Sequence, residues 1–134
     1  DIRWIFDVEG ESGFRDREAK ALAGLCDLQG AVLSTGAGVI LREENQRILQ
    51  RYQSQVIWLH VDLKTQFDRI KYDRSRPLMQ VANPKARLKE MAEVREPLYF
   101  LCAGITVQTG RTSPSVIAKR ILQQLERHHA NVDG

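Results

Sequence analysis

The groups in this sequence with the chemistry to hold a ligand are mainly arginines and glycines. In Gly13-Phe14-Arg15-Asp16-Arg17-Glu18, Arg15 and Glu18 stand three residues apart on one helical face, so the acid can hold the guanidinium in a fixed pose. A planar fork held in this way pairs two oxygens of a carboxylate or phosphate at once. Thr35-Gly36-Ala37-Gly38 follows a short apolar run. Its small residues either let a ligand approach backbone N–H groups, with positive φ angles, or simply make a turn. Thr109-Gly110-Arg111 follows a later apolar run and offers an arginine to a ligand or to solvent. Arg74-Ser75-Arg76-Pro77-Leu78 lies in a polar stretch without periodicity, which suits a mobile lid over 74–82 that brings cations to a phosphate. Arg95 precedes Glu96-Pro97-Leu98-Tyr99 at an expected helix interruption, and Asp62 stands where a helix cap belongs.

The elements that must position these groups follow from apolar spacing. Ile2, Ile5 and Phe6 have helical intervals, Gly10 interrupts, and Phe14 to Leu28 resumes the pattern, which predicts two helices joined by a short turn. Ala31–Ser34 and Gln55–Val61 read as strands buried on two faces, as in a parallel sheet. Arg42–Tyr52 and Leu63–Asp73 read as helices. Asn83-Pro84 is a cap followed by a proline at the first helical position, opening a helix towards Arg95 that Pro97 kinks or ends. Ile105–Gln108 reads as a last strand, and Ser113-Pro114 opens a final helix to about His128, with a frayed tail over 129–134. Alternation of strands and helices predicts an α/β fold, a parallel sheet flanked by helices, with ligands bound beyond the carboxyl ends of the strands.

Composition narrows the function classes. A chain of 134 residues, 43% hydrophobic and 28% charged, fits a single domain over 1–134 and excludes disorder. The net charge of +3 is 20 basic minus 17 acidic residues, a small surplus of 14 Arg and 6 Lys spread along the chain. Neither nucleic acid nor a membrane is therefore expected as a partner. Cys26 and Cys102 lie in apolar helical patterns without metal-ligand spacing, which predicts reduced buried thiols and a cytoplasmic setting. No apolar run approaches the roughly 20 residues of a membrane helix.

Taken in order, Trp4-Ile5-Phe6-Asp7-Val8-Glu9-Gly10-Glu11, Gly13-Phe14-Arg15 with Glu18, Ser34-Thr35-Gly36-Ala37-Gly38, Arg76-Pro77-Leu78, and Arg95 with Pro97-Leu98-Tyr99 resemble shikimate kinase, a member of the P-loop, nucleoside monophosphate kinase-like superfamily. The resemblance covers essentially the whole chain. It implies a three-layer P-loop kinase-like sandwich that transfers the γ-phosphoryl of ATP, with Mg²⁺, to the 3-hydroxyl of shikimate. It also implies roles. Arg15 and Arg95 resemble the pair that grips the shikimate carboxylate, and Gly36, Ala37 and Gly38 the turn that binds substrate hydroxyls. Phe6 and Phe14 resemble the apolar wall of the pocket, or pack as core. Arg76 resembles the lid arginine that meets the transferring phosphate, and Arg69 and Arg111 the pair that sandwiches adenine.

Two departures qualify the resemblance. Ala37 replaces the middle glycine of the usual triplet, which would add about 1 kcal/mol of strain if that position needs positive φ. The phosphate-cradling GxxxxGK[ST] motif and the Asp-x-Asp that handles magnesium and the substrate hydroxyls do not occur in the 134 residues. The expectation is thus a domain truncated at its N-terminus, with no metal ligands of its own, inactive alone and monomeric when complete. The alternative is a naturally truncated relative that binds a hydroxy acid or a partner without catalysis.

Overall fold

The computed structural model describes residues 1–73 and 75–133, with the side chains of Pro77, Leu78 and 129–133 outside the description. Arg74, in the expected lid, and Gly134, at the end of the expected frayed tail, lie outside the described residues. The chain divides into two compact units, Asp1–Arg51 and Tyr52–Gly134.

The first unit begins with helix α1, Ile2–Leu25, which the Asp1 side chain caps by accepting from the Arg3 N–H at 2.9 Å. Gly10 breaks its regularity with φ 73° and ψ 179°, a conformation that a residue with a Cβ rarely adopts, so the two predicted helices are two segments meeting at a kink. Arg17 bridges that kink: its Nε and Nη2 donate to both carboxylate oxygens of Glu9 at 2.8 and 2.7 Å. The second segment ends at Leu25, three residues short of the predicted Leu28. A 3-10 turn over Ala37–Leu41 leads to helix α2, Glu43–Arg51, whose acidic first turn and basic last residue complement the helix dipole. Leu22, Val39, Ile40 and Leu49 are the buried apolar side chains of this unit.

The predicted strand Ala31–Ser34 does not form. Residues 31–36 have no regular structure, and Val32 is 98% exposed. A strand exists by its ladder, and the sheet among the described residues has two strands, both in the second unit.

The second unit is a βαβ arrangement. Strand β1, Ile57–His60, and strand β2, Ile105–Gln108, pair in parallel with Ile57 opposite Ile105 and His60 opposite Gln108. Between them run helix α3, Leu63–Ile70, a 3-10 turn over Pro77–Gln80, and helix α4, Pro84–Cys102. Helix α5, Pro114–Asp133, follows β2 and continues past the predicted end at His128. The α/β class with parallel strands is as the alternation implies. Asp62 caps α3 by accepting from the Thr65 N–H at 2.8 Å, and Asn83 caps α4 by accepting from the Ala86 N–H at 3.1 Å.

Three expectations fail for identifiable reasons. In β2, Ile105 and Val107 are buried while Thr106 and Gln108 are exposed, and Leu59 of β1 is 52% exposed, so the sheet is covered on one face rather than two. Helix α4 runs through Pro97 without interruption. A proline inside a helix costs about 3 kcal/mol, and here Cys102, 1% exposed at the end of α4, and the Tyr99 ring, 5.5 Å from Trp58, hold the last turns in place. Cys102 is the buried thiol that the sequence predicts, but Cys26, at the end of α1, is only half-buried. Burial raises both thiols above their ordinary value, with Asp27 adding to the effect at Cys26.

Gly104 donates to the carbonyls of Gln53 at 2.9 Å and Val56 at 3.1 Å, and a Cβ there would lie 2.4 Å from the Gln53 oxygen. Gly104→Ala is expected to lower stability by about 1–3 kcal/mol in thermal denaturation. A second prediction concerns Asp62. The Thr65 N–H, then the Thr65 hydroxyl, hold its carboxyl below the usual range. The cap therefore contributes above the unfolded carboxylate range and is lost as pH falls through the lower, folded value. Helical circular dichroism should fall below about pH 4, and more steeply in the wild type than in Asp62→Asn.

Candidate functional site

Arg15 lies just beyond the Gly10 kink, and its side chain, 16% exposed, is enclosed on several sides. Glu18 accepts from Nη1 at 2.9 Å, as the three-residue spacing predicts, and Glu11 lies 3.7 Å from Nη2. The guanidinium stands 5.3 Å from the centroid of the Phe14 ring, whose other neighbour is Phe6 at 4.8 Å between centroids. Phe6 and Phe14 thus form an apolar wall beside the cation. Phe6 is 38% exposed.

Gly38 closes the slot. A Cβ built on it would fall 2.3 Å from Arg15 Nη2 and 2.5 Å from Cζ, and one built on Gly36 would fall 3.0 Å from Glu18 Oε2. The glycines are therefore needed for space rather than for torsion. Gly36 has φ −67° and ψ 149°, and neither Gly38 nor any described non-glycine residue has positive φ. Two expectations are corrected here: the turn does not use left-handed backbone, and Ala37 carries no strain of that origin.

One donor of the fork is left over. Arg15 Nε is buried and has no hydrogen-bond partner among the described residues. An unpaired buried donor costs about 1–3 kcal/mol, more when charged, and the cost disappears when a ligand oxygen accepts from it.

The turn rests on α2. Asn45 Nδ2 donates to the Val39 carbonyl at 3.0 Å and Gln46 Nε2 to the Ile40 carbonyl at 2.8 Å. Arg42 ties the start of α2 to α1 through Asp16 at 2.7 Å and the Ser12 carbonyl at 3.3 Å. Sequence reasoning passed over Asn45. The signal was there, since Asn45 and Leu49 are four residues apart and share the buried face of α2.

In the second unit Arg95 is half-buried on α4 and makes no hydrogen bond or ion pair among the described residues. Its neighbour Glu96 reaches His60 Nε2 at 3.3 Å, and His60 Nδ1 lies 2.6 Å from Gln108 Oε1. Trp58 meets the His60 ring edge-on at 4.8 Å. The carboxyl ends of both strands are thereby tied to the turn of α4 that bears Arg95. Asp62 acts as a cap, as its position suggests.

Arg69, at the end of α3, donates to the Gly110 carbonyl, which ties it to the exposed loop after β2 that carries Arg111. Thr109 anchors this loop through its N–H and hydroxyl, both donating to the His60 carbonyl at 2.9 Å. Arg76 is 59% exposed and paired with Asp73 at 3.1 Å. The Ser75 hydroxyl, then its N–H and Arg76, keep the Asp73 carboxyl below the usual range.

Residues 1–126 match the family model for shikimate kinase. The chain belongs to the shikimate kinase family. It is 44% identical over 126 residues to a shikimate kinase of Pseudomonas putida, covering 94% of this chain and 73% of that one. A shikimate kinase of Actinobacillus pleuropneumoniae is also 44% identical over 126 residues, 72% of its length. Among solved structures, shikimate kinase from Acinetobacter baumannii in complex with shikimate superposes with a TM-score of 0.79 at 35% identity, covering 94% of this chain and 70% of that one.

Shikimate kinases use ATP with Mg²⁺. The described residues contain no group of three or more His, Cys, Asp or Glu able to hold a metal ion, so no metal-dependent step is derived from this chain. They also contain no helix long and apolar enough to cross a membrane.

The packing of Arg15 on Gly38 predicts that Gly38→Ala displaces the guanidinium, costs about 1–3 kcal/mol in thermal denaturation and shifts the Arg15 Nε–H resonance. Gly24→Ala, where a Cβ meets nothing within 4 Å, should do neither. Ala37→Gly should destabilise by about 0.4–1 kcal/mol through the entropy of the unfolded chain. A gain in stability instead would restore the strained-turn expectation.

Proposed function

We propose that this chain supplies the acid-binding, lid and adenine-side parts of an enzyme that transfers the γ-phosphoryl of ATP to the 3-hydroxyl of shikimate, giving shikimate 3-phosphate and ADP in aromatic amino acid biosynthesis. The observation that carries the reading is Arg15: a guanidinium fixed by Glu18, walled by Phe14 and seated on Gly38, with a buried Nε–H left to donate. A fixed planar donor beside an apolar wall suits an acid whose ring is largely carbon. Shikimate has that character, and the Acinetobacter baumannii relative is described in complex with it.

The roles follow from what each group offers. Arg15 donates to the carboxylate and fixes the orientation of the ring, while backbone N–H groups of Gly36, Ala37 and Gly38 meet its hydroxyls. For Arg95, half-buried on α4, the role of a carboxylate-binding arginine is proposed on the resemblance. The substrate hydroxyl oxygen attacks the γ-phosphorus, the bond to the bridging oxygen of ADP breaks, and the hydroxyl proton is released. Charge spreads over the phosphoryl oxygens in this step, so positioning and cations do most of the work. Arg76, the catalytic residue of the lid over 74–82, reaches the phosphoryl group by exchanging Asp73 for it. Arg69, from the end of α3, and Arg111, from the loop after β2, pack against adenine. We propose one shikimate kinase-like domain over residues 1–134, monomeric and cytoplasmic. A second reading is a binder of hydroxy acids without turnover.

A coupled ADP-release assay separates the readings. The 134-residue chain alone should give no shikimate-dependent ADP, and a chimera carrying the preceding residues of the Pseudomonas putida relative should turn over. A chimera that binds shikimate but stays silent would support the binder. In the active chimera, Arg15→Ala should raise the shikimate KM roughly 10–100-fold and leave the ATP KM within about twofold. Equal effects on both would remove Arg15 from the carboxylate site.

A further inference from the structure

Asn45 is the one buried polar or charged residue among those described, with 0% of its surface exposed. It occupies the face of α2 that one turn later carries the buried Leu49, a position where an apolar side chain would be ordinary. Its Nδ2 donates to the Val39 carbonyl at 3.0 Å, and its Oδ1 has no hydrogen-bond partner among the described residues. An amide half satisfied in a buried site adds little stability, and a leucine of similar size would avoid the unpaired oxygen. A directional bond does supply register, and this one ends on the residue next to Gly38.

We propose that Asn45, backed by Gln46, is a positioning residue for the acid-binding turn. The inference rests on the reading that Arg15 and the Gly36–Gly38 turn hold the shikimate acid. Successive side chains of α2 hold successive carbonyls, Val39 by Asn45 and Ile40 by Gln46 at 2.8 Å, so the backbone just past Gly38 is fixed at two points. The Gly36 carbonyl accepts from the Val39 N–H at 3.2 Å, which carries the same constraint back to the first glycine. Arg42 completes a closed frame by joining α2 to Asp16 and the Ser12 carbonyl on α1, the helix that bears Arg15. The guanidinium sits within van der Waals reach of the Gly38 Cα, so a slip of the turn by half an ångström either expels Arg15 or opens the slot. The amide of Asn45 therefore determines where the turn N–H groups stand relative to the carboxylate-binding fork.

The test uses the whole chain titrated with shikimate by calorimetry, with Asn45→Leu and Gln46→Met beside the wild type. Each variant should weaken shikimate binding roughly five- to tenfold, about one hydrogen bond's worth, while the thermal midpoint stays within about 4 °C. A purely structural role would instead move binding only in step with the unfolded fraction, and either folded variant binding like the wild type overturns the proposal. If Asn45→Leu does not fold, Gln46→Met decides on the same criterion. A wild-type chain that does not bind shikimate would sink the functional reading, and the positioning role would then be judged from resonances alone. The Gly38 N–H and Arg15 Nε–H signals should shift in Asn45→Leu, and unmoved signals would refute the proposal.

Discussion

The first unit is organised around a cation laid against a bare Cα. Arg15 needs an anion beside it, a surface under it and space in front of it, and these come from Glu18, Phe14 and Gly38. Each requirement constrains another element. Glu18 must lie on the same helical face, so α1 must be regular after Gly10. Phe14 must be braced by Phe6 from across the kink, so the kink must be held, and the Glu9–Arg17 fork does this. Gly38 must come close without a side chain, so the turn must be fastened from behind by α2. The Arg17 hydrogen bond, above all, holds the Glu9 carboxyl below its usual range, so that fork stays charged on both sides across the pH range where kinases work.

Much of this was legible from residue types. The Arg15–Glu18 spacing, the Asp62 and Asn83 caps, the Gly10 break and the β2 boundaries follow from rules that act within a few residues. What was not legible depends on partners distant in sequence. Ala31–Ser34 has the composition of a buried strand, yet no described strand pairs with it, and composition cannot provide a ladder. Pro97 carries a strong local signal for a helix end, which the packing of Tyr99 and Cys102 outweighs. The glycine turn was expected to use left-handed backbone, and it does not. Glycine serves torsion and space alike, and sequence does not tell the two apart. Here space is the reason, since a Cβ at Gly38 would meet the Arg15 guanidinium and one at Gly36 the Glu18 carboxylate.

In the second unit the same economy appears at the strand ends. His60 is contacted through its two ring nitrogens by Gln108 of β2 and Glu96 of α4, while its carbonyl anchors Thr109. One residue at the end of β1 thus fixes both the helix turn that bears Arg95 and the loop that bears Arg111. Arg95 and Arg111 are not independently placed, since both refer back to a single imidazole and its peptide.

In the function proposed above, the Arg76–Asp73 pair makes the lid an ion exchanger. Seen from several ångströms away, the paired lid presents a dipole rather than a net charge, and it adds little to the field that draws anions from solution. Its cation becomes available only at contact, when phosphoryl oxygens displace a carboxylate that is itself held by Ser75. The displacement is a swap of one anion for another at a half-solvated arginine, so its free-energy change is the small difference between two similar interactions. A lid with that property grips a phosphate without trapping it, and the nucleotide product can leave by the reverse exchange.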